Sequence, residues 1–431
     1  MSKPLTIAVA GLGTVGAGVI RVLDAHAELL TRRCGRELKV VAVSARDRSK
    51  DRGVALEACE WYGDAAEMAG KADAEVVIEL IGGSDGIAKS VVNSALGAGR
   101  HVVTANKALL AHHGTELART AEGAGVALAY EAAVAGGIPI VKALREGLAA
   151  NSFDRVYGIL NGTCNYILSA MRETGRGFDE VLAEAQELGY AEADPAFDVD
   201  GVDTAHKLAI LASLAFGTEV DFDSIYTEGI RHVSPLDFEF AEELGYRIKL
   251  LGIARRTPSG IEQRVHPCMV PLADPIAHIE DVFNAVVVDG DAVETTMYEG
   301  RGAGAGPTAS AVVADLVDIA RGRWAPTFGV PCGELTQPSP SPITQRTGRY
   351  YLRLTVVDRP GVFAEIASAL NENNVSMEAI IQRGRAPGEA VEVVLTTHET
   401  RDDSVAATID AIAESDAVLE PTRLIRIVSF G

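Results

Sequence analysis

The apolar run Leu5-Thr6-Ile7-Ala8-Val9-Ala10 leads directly into Gly11-Leu12-Gly13-Thr14-Val15-Gly16, and a helical pattern follows at Val15, Val19, Val22, Leu23 and Leu30. A buried strand that ends in GxGxxG and continues as a helix restricts the fold more than any other feature of the chain. The first glycine permits a tight turn, the second lets a pyrophosphate approach the backbone, and the third lets helix and strand meet closely, with the helix N-terminus facing the phosphates. A plain glycine turn is the competing explanation, and the strand-to-helix context disfavours it. The turn therefore predicts that Gly11, Leu12, Gly13, Thr14, Val15 and Gly16 bind a nicotinamide dinucleotide in a dehydrogenase.

A chain of 431 residues suggests two to three domains. Short apolar strands at 38–43, 75–80, 101–104 and 126–130 alternate with helical segments over residues 1–130, as a parallel α/β sheet requires. From 131 to 330 the pattern predicts an α+β substrate and dimerisation unit, with helices at 178–189 and 203–216 and strands around 228–235, 247–255 and 281–297. Pro331, Pro338, Pro340 and Pro342 mark 331–346 as an extended linker. Residues 347–431 read strand 350–357, helix 361–373, strand 375–383, strand 389–397, helix 403–414 and strand 418–428, the ferredoxin-like βαββαβ order. The fold class is α/β: a Rossmann-type parallel sheet, a mixed middle unit and a ferredoxin-like C-terminal unit.

A net charge of -21 repels phosphate backbones and argues against nucleic acid as a partner. No apolar stretch reaches the roughly 18 residues of a membrane helix, and MSKPLTIAVAG lacks the features of a signal peptide, so a cytoplasmic protein without membrane partner is expected. Cys34, Cys59, Cys164, Cys268 and Cys332 form no CxxC pair, which suits reduced thiols.

Beyond the second strand, Arg46 and Arg48 in Ser44-Ala45-Arg46-Asp47-Arg48 can hold a 2′-phosphate, while Asp47 keeps NADH open; the reading leans to NADPH. The strand at 101–104 delivers Thr104, Asn106 and Lys107 to the carboxyl edge of the sheet, where ligands bind, and so places Lys107 near the nicotinamide. The stretch from Glu192 to Lys207 holds Glu192, Asp194, Asp198, Asp200 and Asp203, a density that is costly unless it binds something. Asp203 and Lys207 share one helix face. An ordinary surface ion pair would explain that spacing, yet the helix continues as Leu208, Ile210, Leu211 and Leu214, which implies burial beside a cleft. A lysine can protonate a developing alkoxide and carboxylates can hold an ammonium group, so these residues suggest reduction of an aldehyde or ketone on a small amine-bearing substrate.

GLGTVG from Gly11, VTANKALL from Val103, YEAAVAGGIPI from Tyr130, GILNGTCNYIL from Gly158 and GYAEADPAFDVDGVDTAHKLAILA from Gly189 together closely resemble the homoserine dehydrogenase family, in order and along essentially the whole chain. The resemblance implies interconversion of L-aspartate 4-semialdehyde and L-homoserine with NADPH or NADH. It implies Lys207 as proton donor, Lys107 beside cofactor and substrate, and Glu192, Asp198 and Asp203 around the substrate. It also implies a sodium ion on main-chain carbonyls at Glu131, Val134, Gly136 and Ile138, a donor set that suits a hard cation. Gly302 and Gly304 match a returning segment that closes on the cofactor; a second glycine-rich phosphate loop is the competing reading, but no apolar strand precedes it. Threonine in place of Cys164 in other members argues against covalent catalysis there. The C-terminal unit, with Asp358-Arg359-Pro360-Gly361 at its first turn, is similar to ACT domains, and L-threonine is the effector this implies. Pro360 is expected in the first helical turn, where free amides attract a carboxylate. A unit that only promotes oligomerisation is the alternative. The assembly implied is a homodimer or homotetramer, and with nothing ahead of the first strand no fused kinase is expected.

Two rivals fit less well. A 3-phosphoglycerate-type dehydrogenase, another ACT-linked NAD(P) enzyme, would need its glycine loop in mid-chain, and a non-enzymatic amino-acid sensor would not need the set from Glu192 to Lys207.

Overall fold

Apolar runs that must be buried on both faces assemble the N-terminal sheet. The computed structural model describes residues 3–384 and 386–430. Strands β1 (Leu5–Ala10), β2 (Leu38–Ser44), β3 (Glu60–Tyr62), β4 (Val76–Glu79), β5 (His101–Thr104) and β6 (Leu128–Ala129) lie in the order β3-β2-β1-β4-β5-β6, and every neighbouring pair is parallel. The order reverses between β1 and β4, which opens a ligand crevice at their carboxyl ends.

The second sheet is larger. It is built from β7 (Phe153–Ile159), β8 (Tyr226–Thr227), β9 (Tyr246–Thr257), β10 (Gly260–Pro271), β11 (Phe283–Gly290), β12 (Glu294–Arg301), β13 (Thr347–Val357), β14 (Met377–Gln382), β15 (Ala390–Thr397), β16 (Thr400–Arg401) and β17 (Arg423–Ile427). Its main path runs β12-β11-β7-β9-β10-β17-β13-β15-β14. The last four positions, β17-β13-β15-β14, are the ferredoxin-like arrangement of the C-terminal unit. Parallel pairing of Cys268 with Arg426 and of Met269 with Ile427 joins that unit edge to edge to the middle one. Between them, 331–346 carries a short 3-10 turn at Ile343–Gln345 and isolated bridges from Thr336 to Thr218 and from Pro340 to Ile261.

The chain also returns to its beginning. Helix Ala305–Ala320 seats Val312, Val313, Leu316 and Ile319 in the same apolar cluster as Ile7, Val9, Val19 and Ile20. Gly18 permits that approach, since a Cβ there would stand 2.9 Å from the Ala305 carbonyl oxygen.

Three local expectations need correcting. The segment 228–235 is a turn followed by helix Pro235–Glu243, because Ser234 and Asp237 form a capping box and Pro235 occupies the first helical position. Strand β10 stands out in the structure although no strand was expected at 260–271. Pro360 lies ahead of helix Val362–Glu372 and outside its first turn, because Gly361 between them adopts φ 102° and breaks the helical path.

Asp237 does more than cap. It is fully buried and accepts hydrogen bonds from Arg353 Nε at 2.7 Å and Tyr351 Oη at 3.0 Å, both on β13, so one carboxylate ties a middle-unit helix to the C-terminal unit. Arg353 has one further carboxylate, Glu392, at 3.4 Å. Asp237→Ala should therefore strand a buried guanidinium and cost about 3–5 kcal/mol, read as a lowered midpoint in chemical denaturation. A midpoint within error of wild type would disprove this role for the carboxylate.

Candidate active site

The glycine turn is built as its sequence requires. Gly11 adopts φ 100°, and a Cβ there would lie 2.6 Å from the Leu80 carbonyl oxygen. A Cβ on Gly16 would collide with the Gly11 carbonyl, whereas one on Gly13 meets nothing within 4 Å. Gly13 is also the N-cap of helix Thr14–Ala25 and supplies no capping side chain, so the helix's first amides face open space beyond β1. This cradle fits a pyrophosphate. Arg52 steadies it: Nε donates to the Leu12 carbonyl at 3.1 Å, and the guanidinium also holds the carbonyls of Lys50 and Asp47. Arg46 stands exposed beside it, on the loop after β2.

Thr104 closes β5 with its hydroxyl already engaged. It donates to Glu79 Oε2 at 2.6 Å and accepts from the Asn106 amide at 3.0 Å, while Glu79 Oε1 takes the amides of Ile81 and Gly82. Asn106 then caps helix Lys107–Gly123. The ends of β4 and β5 are thus pinned together, and Lys107 projects across the crevice.

There it meets the middle unit. Asp203 lies in the first turn of helix Val202–Phe216 and is buried; its Oδ1 pairs with Lys107 Nζ at 2.9 Å and its Oδ2 with Lys207 Nζ at 2.6 Å. Lys207 also donates to the Leu160 carbonyl at 2.6 Å. Asn161 supplies the remaining order: Nδ2 donates to Asp198 and to Asp203, each at 2.8 Å, and Oδ1 caps helix Gly162–Thr174 at the Cys164 amide. Cys164 is buried, its thiol donates to the Asp198 carbonyl at 3.2 Å, and burial raises it well above the ordinary thiol range, which leaves no thiolate nucleophile.

Charge follows from these neighbours. Burial alone would raise Asp203, but Lys207 and Lys107 hold it well below the usual carboxylate range. Burial pulls Lys207 below an ordinary lysine against the attraction of Asp203. It would lower Lys107 too, yet Asp203, Asp198 and Glu192 together raise that group. Asp198 is raised by burial and then by Asp203. His206, on the same helix, is pushed down to about 4 by burial and then by His112, so it is neutral near pH 7 beside two ammonium groups.

These groups open on a cleft of about 650 Å³ lined by Lys107, Lys207, Glu192, Asp198 and Asp203, and by Gly302 and Gly304. Asn161 and Asn284 line it as well. Asn161 was legible as an N-cap in Asn161-Gly162-Thr163-Cys164, although that pattern does not reveal its grip on two carboxylates; Asn284, on β11, carries no sequence signal at all. The segment 131–138 lies behind Gly302. Gly136 abuts the Gly302 carbonyl, the Gly137 amide donates to the Arg301 carbonyl at 3.0 Å, and Ala135 and Gly136 adopt φ 53° and 40°. The Glu131 carboxylate is occupied by the amides of Val141 and Lys142 at 3.0 and 2.9 Å, and burial, then Asp315, pushes it up to about 7. Among the described residues no group of three or more His, Cys, Asp or Glu side chains is arranged to hold a metal, so a cation on this segment would have to rest on main-chain carbonyls.

Comparison with known proteins places this geometry. Residues 11–131 match the family model described as the NAD binding domain of homoserine dehydrogenase, residues 139–317 match that of homoserine dehydrogenase, and residues 350–415 match the ACT domain. Homoserine dehydrogenases of Neisseria gonorrhoeae and Pseudomonas aeruginosa are 47% and 46% identical to the chain, with 99% of each chain covered. A crystal structure of a homoserine dehydrogenase from Thiobacillus denitrificans superposes with a TM-score of 0.94 at 46% identity, covering 100% of this chain and 99% of that one. The corresponding S. aureus enzyme at pH 8.5 gives 0.77 at 28% identity, covering 100% of both chains. Among the described residues no helix is long and apolar enough to cross a membrane. A dinucleotide cradle and a buried aspartate bridging two lysines, in a chain matched along its full length by these relatives, mark it as a member of the homoserine dehydrogenase family, NAD(P)-dependent oxidoreductases, with an ACT domain at its C-terminal end.

Proposed function

We propose that the chain reduces L-aspartate 4-semialdehyde to L-homoserine, reversibly, in the cleft between Lys107 and Lys207. The observation that carries this reading is Asp203 held between two ammonium groups at 2.9 and 2.6 Å. A bound nicotinamide supplies the hydride. An ammonium has three N–H donors, and Lys207 commits one to Asp203 and one to the Leu160 carbonyl. The third remains for the substrate oxygen, and the proton passes from Nζ to that oxygen as the aldehyde becomes an alcohol. Lys107, kept charged by its carboxylates, orients the substrate from the cofactor side. Glu192 and Asp198, which line the same cleft, offer negative charge to the substrate ammonium.

NADPH is the preferred donor in this reading, supported by exposed Arg46 beside the cradle. Carbonyls of Glu131, Val134, Gly136 and Ile138 hold a sodium ion, supported by the left-handed turn at Ala135 and Gly136. The ACT domain takes L-threonine at the turn before helix Val362–Glu372 and lowers activity.

One assay tests these readings. NADPH consumption with aspartate semialdehyde should proceed in wild type and fall at least ~100-fold in Lys207→Ala, as loss of a general acid requires; equal rates would remove Lys207 from that role. Arg46→Ala should weaken NADPH and leave NADH unchanged, potassium in place of sodium should slow turnover, and added L-threonine should inhibit. Failure of any of these arms rejects its own claim and leaves the dehydrogenase standing. The pH profile gives an independent check. Reduction needs protonated Lys207, so kcat falls as pH rises through a value below the ordinary lysine range, because burial depresses this group. Asp203 opposes that depression, and Asp203→Asn should move the alkaline limb to still lower pH; an unmoved or upward-shifted limb would contradict the assignment.

A further inference from the structure

A second cavity lies far along the large sheet, where β9 and β10 meet β13 and β17. It encloses about 210 Å³ and is lined by Arg155, Arg255, Arg264, Arg346 and Arg349, with Glu399 the one acidic lining residue. That concentration runs against a chain with 60 acidic and 39 basic residues. Neighbouring carboxylates neutralise part of it. Arg155 pairs with Asp289, Arg349 with Glu378, and Arg255 and Arg264 share the single carboxylate of Glu262.

Arg346 is the exception. It is 5% exposed, and among the described residues no carboxylate comes within ion-pair distance of it. Its Nη2 donates to the Ile427 carbonyl at 3.1 Å and its guanidinium lies over Tyr350, but Nε and Nη1 are buried without hydrogen-bond partners. Gly348 makes room for it, since a Cβ there would overlap the guanidinium. Arg264 is 4% exposed and also retains a buried Nη1 outside hydrogen-bond geometry, although that atom contacts Glu262. An unpaired guanidinium in such surroundings carries a large desolvation penalty, and buried donors are otherwise nearly always satisfied.

We propose that this cavity binds a small oxyanion, the phosphate or carboxylate group of a compact ligand, held by Arg346 and Arg264 at the junction of the catalytic sheet with the ACT domain. The size is below the roughly 300–1,000 Å³ of pockets for drug-sized molecules, which restricts the ligand to a small one. Arginine forks suit both oxyanion classes. The bound anion would link β10 to the residue that leads into β13 through charge, at the place where β17 pairs with β10 at two positions. The inference is independent of the reaction assigned to the cleft.

The test uses the full chain and two probes, inorganic phosphate and succinate, each compared with chloride at equal ionic strength. A site ligand raises the melting temperature saturably. One probe should do so in wild type, and which of the two succeeds identifies the oxyanion class. Arg346→Gln should weaken that response about tenfold or more, the scale of a lost charge-assisted hydrogen bond. Arg346→Lys, which keeps the charge but loses the fork, should fall between them and serves if the glutamine variant does not fold. No saturable response to either probe, or an equal response in wild type and variants, would overturn the proposal.

Discussion

The Asp203 carboxylate is the interaction on which the arrangement of the molecule turns. One of its oxygens belongs to Lys107, at the edge of the dinucleotide sheet, and the other to Lys207, one helical turn along the middle unit's buried helix. The carboxylate thereby fixes the distance between the edge of the dinucleotide sheet and the buried lysine of the middle unit. A buried charge is tolerable only with partners and hydrogen bonds that replace water. Asp203 has two ammonium groups and the Asn161 amide; Lys207 leans in turn on the Leu160 carbonyl, and Lys107 lies over the Phe197 ring. The bridge also answers a chemical difficulty: a lysine in a dry cleft tends to lose its proton, and the same carboxylate that orients Lys207 returns part of its affinity for that proton.

Close backbone approaches complete the site. Gly11 sits against Leu80, Gly18 against Ala305, and Gly136 against Gly302, so the cofactor turn, the returning helix and the segment behind the cleft meet where side chains would keep them apart. The returning helix matters because the chain leaves the dinucleotide sheet at β6 and crosses the middle unit before it comes back. Its apolar face then shares a core with β1, and Gly302 and Gly304 just ahead of it line the same cleft as Lys107. Neither unit forms the cleft by itself.

Much of this was legible in the residues, for reasons that differ by region. The parallel sheet announces itself because strands buried on both faces are continuous apolar runs, and the glycine turn because it stands between such a run and a helix. The pairing of Asp203 with Lys207 follows from helical spacing. Lys107 meeting the same carboxylate does not, since two residues 96 positions apart in numbering are joined only by the fold. Asn284 and the Leu160 carbonyl were invisible for the same reason. The expectation of a strand at 228–235 failed because the capping box formed by Ser234 and Asp237 outweighed the alternation of side chains, and Asp237 gains a buried arginine across the unit boundary by being there. Thr104 was placed correctly at the sheet edge, but its hydroxyl serves Glu79, a buried acid that a sequence reading treats as part of an apolar strand.

The joint between the large sheet and the ACT domain reaches the cleft through packed strands. Strand β17 lies beside β10, β10 is paired with β9 along its length, and Gly252 on β9 is overlain by Thr204 and Leu208 from the helix that carries Lys207. A glycine at that contact lets the side chains of Thr204 and Leu208 pack down onto the backbone of β9. Close-packed interfaces of this kind transmit displacement, because they deform poorly. The helix in question is buried along nearly its whole length. Strands β17, β10 and β9 thus form a continuous packed route from the ACT domain to the helix that carries Lys207.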